Sequence, residues 1–275
     1  MIKKIGILQG RLTKIKNNRI QEFPKNNWIK EFKILNKIGL NKIEWLIDEN
    51  FIENPLLNRK KLKEIKIQKE KHKIEINSVC CDNFMFYSFF EDKKAFATLK
   101  KLIINCSTLG IKLIDIPLLG KNSVKKLKKR RQIIKDLKKL DTLLKKKKIT
   151  LTFETDLKPS MNLNFIKSFK NLKNFGLTYD TGNSTFWGYD YREEFSKFGK
   201  YIKNVHVKDC TKSKYSVPLG SGHTKFNQIL KLLKLYNYKG DFIFQTARKN
   251  KNYEREILVY KNFFIKKLLN FFYNK

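Results

Sequence analysis

Four polar side chains sit at the ends of short apolar runs in the second half of the chain: Glu154 after ITLTF, Asp180 after FGLTY, His206 within IKNVHVK and Gln245 after DFIF. Three oxygen donors and one imidazole suit a single divalent ion of the Mn, Co, Mg or Zn type, harder than the ions that thiolates select. Such an ion, bridging a carbonyl and the adjacent hydroxyl of a small molecule, acidifies the neighbouring C–H, and a carboxylate such as Glu154 can take that proton. Lys208 and Arg248 lie close to these residues in sequence and are able to hold a substrate oxygen, carboxylate or phosphate.

Each residue also has a plainer reading. Asp180 with Gly182 and Asn183 is turn chemistry, since Asp and Asn favour turns and Gly permits positive φ. His206, between Val205 and Val207, fits a hydrogen-bonded core histidine, and Lys208 and Arg248 fit solvated charges in so basic a chain. Glu154 resists such a reading, because a carboxylate closing an apolar strand is costly to bury without a partner.

These residues need elements that bring them together. Eight β-rich segments recur along the chain: KIGIL, KIEWLI, IEINSVC, IKLIDIPL, ITLTFE, FGLTYD, IKNVHVK and DFIFQ. Between them run lysine-rich segments of helical period near 27–38, 57–71, 91–109, 122–146, 160–171, 190–201, 224–237 and 251–272. Apolar strands that each precede a helix pair in parallel, and eight such units predict a closed (β/α)8 barrel, a TIM barrel, filling residues 1–275 as one domain. No Pro- or Gly-rich linker divides it, and an open nucleotide-binding sheet lacks its G-x-G-x-x-G. Pro117 belongs at a strand end, where its missing N–H leaves no gap.

A parallel barrel carries its site at the C-terminal ends of the strands. The polar residues there are Gln9, Arg11, Glu44, Asp82, Asn83 and Asp115 from the first four strands, then Glu154, Asp180, Asn183, His206, Lys208, Asp209, Gln245 and Arg248. Glu154 and Lys208 are the candidate catalytic groups; Gln9, Arg11, Glu44, Asp115, Asn183 and Arg248 are candidate substrate contacts. Asp209 is placed to orient His206 or balance Lys208. The loop PLGSGHTKF either binds an anion through backbone N–H groups or makes a tight turn.

The net charge of +36 would ordinarily suggest nucleic acid or an anionic membrane. Only eight of the 61 basic residues are arginine, however, and lysine is spread through the whole length alongside Ile and Asn. A specific nucleic-acid site clusters its charge and favours Arg. In the densest run, 124–148, Ile133, Ile134, Leu137, Leu140 and Leu144 share one helical face and leave the lysines outward. The four cysteines form no C-x-x-C and read as buried, reduced thiols. No apolar run is long enough for a signal peptide or a membrane span, so the expectation is a soluble cytoplasmic protein.

In order and spacing, GILQGRL, GLNKIEWL, LTFETD, GLTYDTGNS, VHVKD and VPLGSGHTKF resemble the xylose isomerase-like TIM-barrel superfamily of sugar (phosphate) isomerases and epimerases. The resemblance implies one divalent ion held by Glu, Asp, His and Glu from the fifth to eighth strands, of which Glu154, Asp180 and His206 match the first three. It also implies a small-molecule sugar or sugar phosphate as substrate, and it is compatible with a homodimer. Gln245 departs from the pattern: it can ligate through its carbonyl oxygen but cannot take a proton at neutral pH. The resembling epimerases use both glutamates as opposed bases, whereas an isomerase shuttles a proton on one face through an enediolate, with Glu154 as ligand and base. Gln245 therefore tilts the expectation toward an isomerase, unless Glu44, Asp115 or another group supplies a second base. The alternatives are a catalytically degenerate sugar-binding barrel, a dehydratase, and an endonuclease IV-type DNA repair enzyme. The last needs a histidine-rich trinuclear zinc site, and this chain has three histidines, His72, His206 and His223. Nucleic acid is accordingly not expected as a partner.

Overall fold

The computed structural model describes residues 2–15, 19, 21–87, 92–169, 173–248 and 252–272. Eight strands close into one parallel barrel in sequence order: β1 (Ile5–Leu8), β2 (Lys42–Leu46), β3 (Glu75–Cys80), β4 (Leu113–Leu118), β5 (Thr150–Thr155), β6 (Phe175–Asp180), β7 (Ile202–Val207) and β8 (Phe242–Phe244). The expected strands are all present, most of them trimmed by a residue or two at an end.

The helices are α1 (Trp28–Lys37), α2 (Leu62–Lys71), α3 (Lys93–Thr108), α4 (Leu127–Lys138), α5 (Asp141–Lys147), α6 (Pro159–Lys167), α7 (Thr181–Phe186), α8 (Tyr191–Phe198), α9 (Phe226–Leu235) and α10 (Tyr253–Phe272). Two departures from the sequence reading stand out. The single helix expected over 122–146 is two, with Asp141 opening the second, where a carboxylate meets the positive end of the helix dipole and pairs with Lys145 at 2.6 Å. The segment after β6, read as a turn, is a short helix. Residues 91, 170–171 and 251 of the expected helices lie outside the described residues.

The chain divides into two compact units, one of residues 1–42 with 178–275 and one of residues 43–177. In the second, β4 and β5 pair over six residues, and the β3–β4 register ends at Cys80 opposite Asp115. Pro117 lies past that end, so its missing N–H leaves no gap in the β3–β4 ladder, and on the other side it stands opposite Glu154 of β5. The unit's core is aromatic: Phe153 packs edge-on to Phe165 and stacks with Phe169, which stacks with Phe175 at 4.4 Å. Such pairs add about 0.5–1.5 kcal/mol each beyond the area they bury. Ile133, Leu137, Leu140 and Leu144 are buried across α4 and α5, and Lys128, Lys135, Lys138, Lys145 and Lys146 are exposed, as the helical period requires.

In the first unit, β8 lies between β7 and β1, pairing Phe242 with both Val205 and Ile5. Phe226, Ile229, Leu230 and Leu233 form the buried stripe of α9. Phe226 meets Phe263 and Phe264 of α10 edge-on, and Phe264 continues to Phe242 and Phe244. Among the described residues no helix is long and apolar enough to cross a membrane.

Candidate metal centre and its surroundings

In the unit of residues 43–177, four carboxylates come from successive strands or strand ends. Glu44 lies in β2, Asp82 just past β3, Asp115 in β4 and Glu154 in β5, and all four are buried. Thr152 Oγ1 donates to Asp115 Oδ1 at 3.0 Å, and the two-residue repeat of a strand puts Glu154 on the same face of β5 as Thr152. Cys80 Sγ donates to Asp82 Oδ1 at 3.2 Å. Burial pushes the Cys80 thiol well above its ordinary pKa, and Asp82, Asp115, Glu44 and Glu154 push it further, in that order. Negative charge is thus concentrated about the ends of β2 to β5. All four cysteines are buried free thiols.

In the other unit, Asp180 ends β6 and caps α7: its Oδ1 accepts from the N–H groups of Gly182 (2.8 Å) and Asn183 (2.9 Å). The turn reading of Asp180, Gly182 and Asn183 therefore describes the local hydrogen bonds correctly, but the chain continues as a helix. Lys208, one residue past β7, is buried. Its Nζ donates to Asn183 Oδ1 at 2.7 Å, stands 3.5 Å from Asp180 Oδ2 and lies 4.0 Å from the centroid of the Tyr215 ring. Gly182 makes this possible, since a Cβ there would fall 2.6 Å from Lys208 Cγ.

His206 is fully buried in β7, opposite Ile243 of β8. Asn204, two residues back on the same strand face, has its carboxamide nitrogen 3.3 Å from Nε2, and a carboxamide at that position governs which ring nitrogen carries the proton. Asp209 has a different task from the one expected. Its Oδ2 accepts from Gly220 and Gly222 N–H at 2.9 Å each, and its Oδ1 from Cys210 (3.0 Å) and Thr224 (3.1 Å). The loop PLGSGHTKF does present backbone N–H groups to an anion, and that anion is the chain's own carboxylate.

Gln245 follows β8 and is buried, its N–H donating to Val207 O. Gln9 is fully buried after β1. Arg11 donates from Nε to Thr246 O (3.0 Å) and from Nη2 to Gln21 Oε1 (3.2 Å). Arg248 donates to Thr13 O (3.2 Å) and Arg19 O (3.3 Å).

Sequence reasoning missed Glu31. It lies on the buried stripe of α1 and accepts from Gly10 N–H at 2.9 and 3.0 Å and from Leu12 N–H at 2.9 Å, which fixes the segment after β1. Burial raises its pKa from 4.5 to about 7 against the lowering pull of those two N–H groups, Arg248 and Arg11. A carboxylate on the apolar face of a helix was the available signal. Glu194 was missed in the same way: it is buried, accepts from Tyr179 Oη (2.9 Å) and the Ser184 hydroxyl, and is likewise raised to about 7 by burial.

Within the unit of residues 43–177, Asp115 and Glu154, both buried, each offer a ligand atom, and these atoms lie within 4.8 Å of each other. Two carboxylates this close form a donor pair for a divalent ion such as Mg, Mn, Co or Zn. Asp115, expected among the substrate contacts, stands here with one of the expected ligands, Glu154, while in the other unit Asp180 caps its helix and faces Lys208.

A closed parallel barrel with histidine and carboxylates toward the C-terminal ends of its strands defines a class of proteins. The sequence profile of the xylose isomerase-like TIM barrel family matches residues 32–263, and the chain belongs to that family. No match was found among curated proteins. Solved structures share the fold at low identity. A D-psicose 3-epimerase from Clostridium cellulolyticum H10, solved with D-tagatose, aligns with TM-score 0.74 and 14% identity over 96% of this chain and 99% of its own. The IOLI protein with a bound zinc atom gives 0.75 and 16% over 98% and 100%. A xylose isomerase-like barrel protein from Mycobacterium smegmatis, in complex with magnesium, gives 0.73 and 16% over 96% of each chain.

Proposed function

We propose that this chain is a divalent-metal-dependent isomerase or epimerase of a sugar or sugar phosphate, working through an enediolate. The observation that carries the reading is the buried pair Asp115 and Glu154, whose carboxylate oxygens lie within 4.8 Å of each other and suit a divalent ion. The epimerase among the structural neighbours and the zinc and magnesium found with two others support it. When bound, the ion would withdraw electron density from the substrate's carbonyl and adjacent hydroxyl oxygens and so acidify the C–H between them.

The remaining work falls to the chain's own residues. In an isomerase Glu154 takes the proton from one carbon and returns it to the neighbouring carbon; in an epimerase Glu154 keeps the proton it takes, and a protonated second group on the opposite face gives its own proton to the same carbon. Asp115 is the candidate second base, because Gln245 cannot accept a proton at neutral pH. Thr152 holds one Asp115 oxygen, and Asn204 orients the His206 ring. Lys208 polarises a substrate oxygen from a position fixed by Asn183 and Tyr215. Asp180 completes the ligand set or balances Lys208.

Metal content of the chain purified without chelator, by elemental mass spectrometry, tests the reading on wild type and His206→Ala together. About one ion per chain, lost in the variant, is expected, with exchange of substrate C–H protons for solvent deuterium that Glu154→Gln abolishes. Wild-type exchange in Glu154→Gln would remove that residue from the mechanism. A second reading, a barrel that binds sugar without turnover, is favoured by Gln245 alone, and sugar binding without any exchange would select it.

A further inference from the structure

We infer that Glu194 is a positioning residue: through Ser184 it fixes α7, and α7 in turn holds the Lys208 ammonium in place. The inference rests on the reading above in which Lys208 acts on the substrate. Every link of the chain of contacts lies within the unit of residues 1–42 and 178–275.

α7 has six residues, too few for a helix to hold itself in water. Its first half is tied to Lys208. Thr181 Oγ1 donates to Lys208 O at 2.7 Å and accepts from Lys208 N–H at 3.0 Å, and Asn183 Oδ1 accepts from Lys208 Nζ at 2.7 Å. Ser184, the next residue, is tied to a different element. Its hydroxyl donates to Glu194 Oε2 on α8, and the same oxygen accepts from Tyr179 Oη of β6 at 2.9 Å. Phe195, beside Glu194, meets the Tyr179 ring edge-on at 5.0 Å. Glu194 therefore joins β6, α7 and its own helix at one point.

Neighbouring residues of a helix point about 100° apart, so Asn183 faces Lys208 while Ser184 faces Glu194, and a turn of α7 about its axis would move both contacts together. Keeping a carboxyl group at this place opposes burial. Glu194 is 5% exposed, burial raises its pKa to about 7, and Asp190 and Glu193 of its own helix push the same way. A well-packed apolar side chain would escape that penalty. What it would lack is direction: an oxygen accepting two hydroxyls sets the angle of α7 as well as its distance.

The test is pulse acetylation of the purified chain with acetic anhydride, read lysine by lysine by peptide mass spectrometry. Lys42 is the internal reference, because its side chain is 9% exposed against 8% for Lys208 and pairs with Asp241 at 3.4 Å. Glu194→Ala is expected to raise the labelling of Lys208 relative to Lys42 by about fivefold or more, the scale set by one lost hydrogen bond. Glu194→Gln, whose carboxamide oxygen still accepts, should restore the wild-type ratio. Ser184→Ala should reproduce the rise with a smaller change of volume, and it carries the test if Glu194→Ala does not fold. The double alanine variant should rise no further than either single one, since both cut the same link. Lys208 and Lys42 rising together would show general loosening and overturn the inference, as would an unchanged Lys208 in Ser184→Ala. Exchange of a sugar's C–H protons with solvent deuterium is the second readout: Glu194→Ala should lower kcat with KM little changed, and Glu194→Gln should return it. If wild type exchanges no sugar, the proposed function fails while the labelling result still decides the role of Glu194.

Discussion

The ammonium of Lys208 lies 4.0 Å from the centroid of the Tyr215 ring, in a chain where most lysines reach into water. A desolvated cation over an aromatic face contributes about 2 kcal/mol. Tyr215→Phe keeps the face and is expected to leave the unfolding temperature within a degree of wild type. Tyr215→Leu keeps bulk without the face and is expected to lower it by several degrees in differential scanning calorimetry. Equal effects of the two substitutions would mean that the ring acts only as apolar filler.

Gly182 reverses a familiar preference. Replacing a helical glycine by alanine normally stabilises by about 1 kcal/mol. Here the new methyl would meet Lys208 Cγ at 2.6 Å, so Gly182→Ala is expected to destabilise by about 1–3 kcal/mol in urea unfolding. In a Lys208→Ala background much of that cost should disappear, and the coupling is read from the double-mutant cycle.

Glu31 and Glu194 make stability depend on pH. Both are raised from 4.5 to about 7, so the folded chain holds these protons more tightly than the unfolded chain does. Stability from this source is fully present below pH 4.5 and is lost as pH rises through about 7, by up to about 3 kcal/mol per group. Urea midpoints measured from pH 5 to 8 should therefore fall across this window. Glu194→Gln, which stays neutral, should flatten its share of the slope; an unchanged slope would show that Glu194 does not titrate there.

Asp209→Asn removes the charge and one of the two oxygens that accept four N–H groups. Charge-assisted bonds of this kind contribute about 1.5–3 kcal/mol each. The amides of Gly220, Gly222 and Thr224 are expected to lose hydrogen-exchange protection by tenfold or more, with little change in the β5 amides.

The barrel was legible because strand and helix periods alternate along the whole chain, and each apolar run in the sequence marks its strand to within a residue or two. Asp180 was legible as a local device, since an Asp followed by Gly and Asn caps whatever follows it. What the sequence left open is what tertiary contact decides. Glu31 matters because Gly10 and Leu12 arrive from another element, and Asp115 meets Thr152 across a strand pair. The lysine run of 124–148 gave the right faces but not the break, because its apolar spacing reads through residues 139–140 without interruption.

Asp209 ties down residues only 11, 13 and 15 positions further along the chain. Closing loops that short costs little chain entropy, and it requires no strand from elsewhere in the barrel. The segment from β7 into α9 is thus a self-restrained cassette. It can vary in its exposed positions, Lys212 to Lys214 among them, while its anchor stays in place, which makes it a part of the barrel mouth where new specificity can be grafted without redesigning the walls.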